Sequence, residues 1–258
     1  MQIKLHITAL QIPLFWETPD LNRKSIDEKL TKLHDTDIIL LPEMFTSGFT
    51  MNPNTVAESM DGTTIKWMKS WAYKSNAAFG GSIVIEEDGA YLIRFVWVTP
   101  SGKLSFYDKH HTFTMAGEDQ VYQRGNDDGI IIFKGWKICL RICYDLRFPV
   151  WSRNTQDYDL LIYVANWPKP RISAWDILLK ARAIENMSYV VGVNRCGEDS
   201  KGNDYPGHSA IYDSLGNCIS GDLSSETKNI SAFINYQELQ AHRRKLRFLE
   251  DRDNFDLC

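Results

Sequence analysis

The chain has no uninterrupted apolar run approaching the ~18 residues that a membrane span requires. Its opening segment, MQIKLHITALQIPLFW, sets Lys4 and His6 inside the apolar stretch. It lacks the basic leader and unbroken apolar core of a secretory signal, and it reads as a first strand. No CxxC pair occurs, and the five cysteines, Cys139, Cys143, Cys196, Cys218 and Cys258, are odd in number. Neither a disulfide framework nor a zinc ribbon fits, so the expectation is reduced thiols in the cytoplasm. There is no GxGxxG or GxxxxGK to cradle a phosphate and no HExxH to hold a metal, so no cofactor and no metal are expected. Positive charge is also in short supply. Twenty-nine basic against thirty-three acidic residues leave a formal charge of −4, which argues against nucleic acid and anionic lipid as partners. The one basic run, His242 to Arg247, reads as a solvated or subunit-facing helix surface.

What is present is the material of a large core: 43% of the 258 residues are hydrophobic and 12% aromatic. No linker, repeat or low-complexity stretch divides them, so one domain is expected over 1–258, with a C-terminal tail from about 236. Segments rich in β-branched residues fall at Ile3 to Leu10, Asp37 to Leu41, Gly80 to Ile85, Tyr91 to Thr99, Gly129 to Phe133, Trp136 to Ile142, Asp159 to Val164, Tyr189 to Val193 and Ser209 to Asp213. Helical spacing appears between some of them, at Leu21 to Leu33, at Ile65 to Ala72, and at Trp175 to Ala183 behind a Ser173 cap. After their opening Asp, the runs DIILL and DLLIYVA are apolar at every position, which requires cover on both faces. Glu87-Asp88-Gly89 and Pro100-Ser101-Gly102 mark antiparallel hairpins. Nine strands exceed one sheet face, and two mixed sheets packed face to face with helices outside, a four-layer αββα sandwich in the α/β class, accommodate them.

Three strand ends carry reactive side chains. The strand Trp136 to Ile142 runs into Cys143-Tyr144-Asp145-Leu146-Arg147-Phe148-Pro149, which puts a thiol at an elbow expected to open a helix. The apolar strand from Asp37 ends in Pro42-Glu43. Lys109 follows the strand Lys103 to Phe106, with His110 and His111 beside it and Glu118 in a loop that returns through Gly125. Parallel strand ends in α/β sheets open into the crevice where ligands bind. Taken one at a time, each residue has an ordinary alternative: a buried structural cysteine, a helix-capping glutamate, a solvated lysine. Cys139, inside its strand, keeps the structural reading.

Together, LPEMF around Glu43, YDKHH around Lys109 and ICYDLRFP around Cys143 resemble the three motifs of the nitrilase superfamily of carbon-nitrogen hydrolases, in the same order. The resemblance extends to Asn166-Trp-Pro and to Ala181-Arg-Ala-Ile-Glu-Asn, and so spans nearly the whole chain. PEMFTSGF and CYDLRFPVWSRN are most similar to the omega-amidase branch. That resemblance implies hydrolysis of the terminal amide of 2-oxoglutaramate and 2-oxosuccinamate, a supporting role for Glu118 at Lys109 or at the substrate amide, and self-association as a homodimer or larger homo-oligomer. Other activities within the superfamily remain as alternatives: N-carbamoyl amidase, nitrilase and acyl transferase. So does a non-catalytic scaffold.

The chemistry can be weighed from charge alone. A lysine ~4 Å from a thiol favours the thiolate by roughly 4 kcal/mol at an effective dielectric of ~20, and an equally close carboxylate opposes it by as much. Cys143 is therefore expected to rest as a thiol, its proton moving to Glu43 as sulfur attacks the amide carbonyl. Burial behind five apolar residues is expected to raise Glu43 toward the range where it can accept and return that proton. The Lys109 ammonium and the Tyr144 backbone N–H would hold the oxyanion. A substrate with a distal carboxylate needs a guanidinium, for which Arg147 is the first candidate and Arg171 the second. Arg147 could instead pair with Asp145 or Glu185. Phe45, Phe113 and Trp167 are candidate pocket walls. His110 and His111 are expected to point apart on an extended chain, which leaves no metal site.

Overall fold

A computed structural model describes residues 1–255, so Cys258 lies outside the described residues. Its strands are β1 (Lys4–Gln11), β2 (Ile38–Leu40), β3 (Ala78–Glu87), β4 (Ala90–Val98), β5 (Leu104–Asp108), β6 (Ile130–Phe133) and β7 (Trp136–Ile142). They continue with β8 (Leu160–Ala165), β9 (Tyr189–Asn194), β10 (Cys196–Glu198), β11 (Asp204–Pro206), β12 (Ala210–Tyr212) and β13 (Lys228–Asn235). The α-helices are α1 (Pro19–Leu30), α2 (Thr63–Ser75), α3 (Ile172–Asn186) and α4 (Tyr236–Leu246). A six-stranded sheet has the order β13-β1-β2-β3-β4-β5, and a five-stranded sheet the order β12-β9-β8-β7-β6. Each sheet is built on three parallel strands, β1-β2-β3 in one and β7-β8-β9 in the other, with antiparallel neighbours outside.

Why the parallel strands read as unbroken apolar runs is visible in the packing. Ile38 and Leu40 face the second sheet and meet Leu140, Ile162 and Val191 in the central core. Ile39 and Leu41 face outward, against Ile26 of α1 and Ile65, Met68 and Ala72 of α2. On the far side Leu161, Tyr163 and Val190 pack on Trp175, Leu179 and Ala183 of α3. The layers are therefore helix, sheet, sheet, helix, the αββα order expected of the alternating pattern.

The turns follow their residues. Asp88 and Gly89 both take positive φ, 53° and 78°, the backbone of a two-residue hairpin between β3 and β4. At α3 the expected Ser173 cap is corrected: the helix starts at Ile172, the cap position is Arg171, and no side chain caps it. Leu21 is largely exposed, and Leu33 lies past the end of α1. The helix expected after Cys143 is a single 3-10 turn, Cys143–Arg147. Phe148 is already extended and Pro149 follows it, so the turn cannot propagate.

Three strands had no clear sequence signature. β10 and β11 form a short hairpin, and β13 closes the edge of the first sheet by pairing with β1 over eight residues, Lys4 with Asn235 through Gln11 with Lys228. Beyond it α4 packs Leu239 into the central core, and Arg243 donates to Asp159 Oδ1 and to the carbonyl oxygens of Tyr158 and Met187.

Candidate active site

The C-terminal ends of β2, β5, β7 and β8 converge on one cavity of about 300 Å³. Glu43, three residues past β2, is fully buried. Lys109 leaves β5 with its N–H bonded to the Ile93 carbonyl, and its ammonium lies between two carboxylates, donating to Glu43 Oε1 and Glu118 Oε1, each at 2.8 Å. The second oxygen of each carboxylate takes a backbone N–H: Asn166 donates to Glu43 Oε2 at 2.8 Å and Phe113 to Glu118 Oε2 at 2.8 Å. All three side chains are 0–1% exposed, so their charges are held by these bonds rather than by water. The loop carrying Glu118, irregular in the sequence reading, consists of two short 3-10 turns, Thr114–Ala116 and Glu118–Gln120, with Gly117 at φ 79° between them. It returns through Gly125, whose close approach to the Asp108 backbone leaves no room for a β-carbon.

Cys143 tops β7 with φ 43°, a left-handed backbone that non-glycine residues rarely adopt, and this strained elbow presents the sulfur to the cavity. The elbow is pinned by Asp145, fully buried, which accepts from the N–H of Ile142 at 3.0 Å, the N–H of His111 at 3.0 Å and the Tyr107 hydroxyl at 2.8 Å. One carboxylate thus ties the sulfur's turn to the segment that carries Lys109. Burial would raise Asp145, but His111, Arg141 and the Ile142 N–H hold it below the usual carboxylate range.

Charge in the site decides the resting state. Two carboxylates face one ammonium, a net −1 before sulfur is counted. Burial, then Glu43, push the Cys143 thiol well above its ordinary value, against the pull of Lys109. Burial works against the Lys109 ammonium too, but Glu118 and Glu43 outweigh it and raise its pKa. Burial also raises Glu118, although Lys109 opposes this. A resting thiol beside a permanent ammonium, as expected from Coulomb's law, is what this balance produces. Cys139 keeps its structural role: it is fully buried, with its thiol pushed up to about 11 by burial.

Arg147 and Arg171 both line the cavity. The Arg147 guanidinium lies 5.0 Å from the Trp167 ring and that of Arg171 lies 5.2 Å from the Phe113 ring. Neither forms an ion pair among the described residues, because the alternatives open to Arg147 are taken: Asp145 bonds His111, and Glu185 pairs with Arg182. Tyr144, Phe113 and Trp167 line the cavity. Phe45 does not. It is fully buried under the first sheet against Trp67, on the side of α2, because the residues after β2 turn the chain away from the rim.

The two histidines are a second correction. β5 ends at Asp108, so strand alternation no longer governs them, and their rings meet edge to face at 4.6 Å. His111 stacks on Phe148 and bonds Asp145, while His110 stacks on Trp151. Sequence reasoning passed over Asn166 as a site residue and missed the β10–β11 hairpin, which brings Asp199, Lys201, Asn203 and Tyr205 to the cavity wall. Asn166 carried a usable signal: it ends an apolar run, DLLIYVAN, just as Glu43 and Cys143 do. The hairpin, short and polar, carried none.

A family model described as carbon-nitrogen hydrolase matches residues 7–244. The chain belongs to this family. Among curated relatives, an omega-amidase, YafV, of Yersinia enterocolitica is 42% identical over 253 residues, which cover 97% of this chain and 98% of that one. A 2-oxoglutaramate amidase of Bacillus subtilis is 30% identical over 96% of this chain and 98% of its own length. Among solved structures, a CN-hydrolase superfamily protein of Xanthomonas campestris with an arsenic adduct in its active site superposes with a TM-score of 0.96, at 37% identity and full coverage of both chains. The chain is thus a carbon-nitrogen hydrolase, an enzyme, with the fold that the three motifs implied.

Proposed function

We propose that this carbon-nitrogen hydrolase releases ammonia from the terminal amide of small 2-oxo dicarboxylic monoamides, 2-oxoglutaramate and 2-oxosuccinamate, through a thioester on Cys143. The observation that carries the reading is the Lys109 ammonium clamped between Glu43 and Glu118 beside an elbow thiol, in a cavity flanked by two guanidiniums that form no ion pair among the described residues. The names of the relatives from Yersinia and Bacillus agree with it.

The Cys143 sulfur attacks the amide carbonyl as its proton passes to Glu43, and the oxyanion forms against the Lys109 ammonium and the Tyr144 N–H. Collapse breaks the carbon-nitrogen bond, Glu43 returns its proton to the leaving nitrogen, and ammonia departs. Water, deprotonated by Glu43, then hydrolyses the thioester, giving the acid and restoring the thiol. Glu118 fixes the ammonium throughout. The two guanidiniums wait for an anion, and the distal carboxylate of the substrate supplies one.

Arg147→Ala is expected to lower kcat/KM for acidic amides by about 10- to 100-fold, chiefly through KM, while a neutral amide of the same length changes by less than about threefold. Ammonia release from a panel of dicarboxylic monoamides, neutral amides, nitriles and N-carbamoyl compounds checks both the substrate class and the arginine. Equal losses on acidic and neutral amides would remove Arg147 from carboxylate binding.

The setting and assembly are proposals of the same kind. Among the described residues Cys139, Cys143, Cys196 and Cys218 form no disulfide, which supports a reducing cytoplasm for a single-domain enzyme. No helix among the described residues is long and apolar enough to cross a membrane. Ile177 and Ile184, 66% and 45% exposed, lie two turns apart on one face of α3, and a second copy of the chain is the proposed cover. Sedimentation at equilibrium is expected to give at least a dimer, with Ile177→Glu shifting it toward monomer.

A further inference from the structure

Asn166 is the buried polar residue on the cavity rim that the proposed reaction leaves without a task. It follows β8, which lies parallel to β7 with Val164 opposite Ile142, so Asn166 and Cys143 leave neighbouring strand ends and line the same cavity. Two of its donors are committed to Glu43: the backbone N–H reaches Oε2 at 2.8 Å, and Nδ2 reaches the main-chain oxygen at 2.7 Å. These bonds fix which end of the side-chain amide is nitrogen, since the reverse orientation would set oxygen against two acceptors. Oδ1 is left buried, with no partner among the described residues, in a residue only 5% exposed. A buried amide oxygen without a donor is rare and points to a donor that arrives with a ligand.

The reaction brings one. With the carbonyl carbon at Cys143 and its oxygen toward Lys109 and the Tyr144 N–H, the amide nitrogen lies toward Glu43, which must protonate it. Asn166 is bonded to Glu43 twice, which sets its side-chain amide beside the carboxyl that must protonate that nitrogen. We propose that Asn166 Oδ1 accepts an N–H of the scissile primary amide and holds the leaving nitrogen for the proton from Glu43. This rests on the amidase reading above and adds the origin of selectivity for a primary amide over an ester, which has no N–H to offer.

The test compares the 5-amide and the 5-methyl ester of 2-oxoglutarate in the full chain and in Asn166→Ser and Asn166→Ala. Serine keeps a donor for the Glu43 carbonyl, and both variants are first checked for an unchanged melting temperature and one iodoacetamide-reactive thiol in the site. Both substrates give the same thioester, so its hydrolysis, followed after a burst with an activated ester, reports Glu43 alone. The expected result is a fall of about 10- to 100-fold in kcat/KM for the amide, with the ester and the thioester step within about threefold of the parent. A parallel fall in all three rates would make Asn166 only a support for Glu43 and overturn the proposal, as would an unchanged amide rate. A parent enzyme inactive on every amide but active on the ester would instead overturn the substrate reading on which the proposal stands. Should Asn166→Ala fail to fold, Asn166→Ser carries the comparison.

Discussion

Cys143→Ala is expected to reduce amide hydrolysis by at least about 10⁴-fold, because no other group in the cavity can form the acyl intermediate. The fold should survive it. Alanine removes only the sulfur's contacts with the central core and with the α3 layer, and the elbow is held from below by Asp145 rather than by the thiol. What alanine keeps is the positive φ of 43°. Glycine adopts that backbone freely, so Cys143→Gly, equally inactive, is expected to melt about 2–4 °C above Cys143→Ala, on the order of 1 kcal/mol in a chain of this size. Differential scanning calorimetry of the two inactive variants reads the conformational strain directly. Equal melting temperatures would mean that the elbow stores none.

Glu43→Gln separates two consequences of one carboxylate. Both half-reactions need its proton transfer, so kcat for amides is expected to fall by about 10³- to 10⁴-fold. The thiol should respond in the opposite sense. Burial first and Glu43 second hold the Cys143 pKa up, and Lys109 pulls it down. Removing the Glu43 charge removes one of the raising influences, leaves the site near neutrality, and moves the thiol pKa down. Alkylation by iodoacetamide, which needs thiolate, should therefore begin at lower pH and run faster near pH 8 than in the parent enzyme. An alkylation profile that stays in place or moves to higher pH would show that Glu43 does not face the sulfur as a charge. Glutamine keeps one acceptor oxygen, enough for Lys109, but its amide nitrogen then replaces the oxygen that accepts from the Asn166 N–H, so the melting temperature of the variant is compared with that of the parent.

How far these residues could be read beforehand depended on where the signal lay. The parallel strands were legible because burial on both faces forces apolar residues along the strand, and DIILL and DLLIYVA carry little else after their opening aspartates. The three reactive residues were legible because each stands at the end of a strand, where the chain emerges into the crevice, and Glu43 most clearly because it ends an apolar run. Phe45 misled because an aromatic two residues past Glu43 is close in sequence, yet Met44 at φ 47° turns the chain so that the ring goes under the sheet. β13 escaped notice because it is an edge strand whose buried and exposed residues alternate, and Asn229 and Ser231 thin its outward face. Which arginine would be free could not be read at all, since that was decided by His111 and Arg182 claiming the competing carboxylates.

The pairing of β1 with β13 bears on how the molecule comes to exist. β1 is flanked on one side by β2 and on the other by a strand more than two hundred residues later in the chain. During synthesis an apolar strand with one open ladder of N–H and C=O groups must wait, tens of seconds at ordinary elongation rates, for its partner. Such high contact order predicts slow closure and a nascent chain that seeks chaperones. Nonsense or frameshift products ending before Lys228 would then be aggregation-prone species rather than partly active enzymes, although every reactive side chain of the cavity would already have been made.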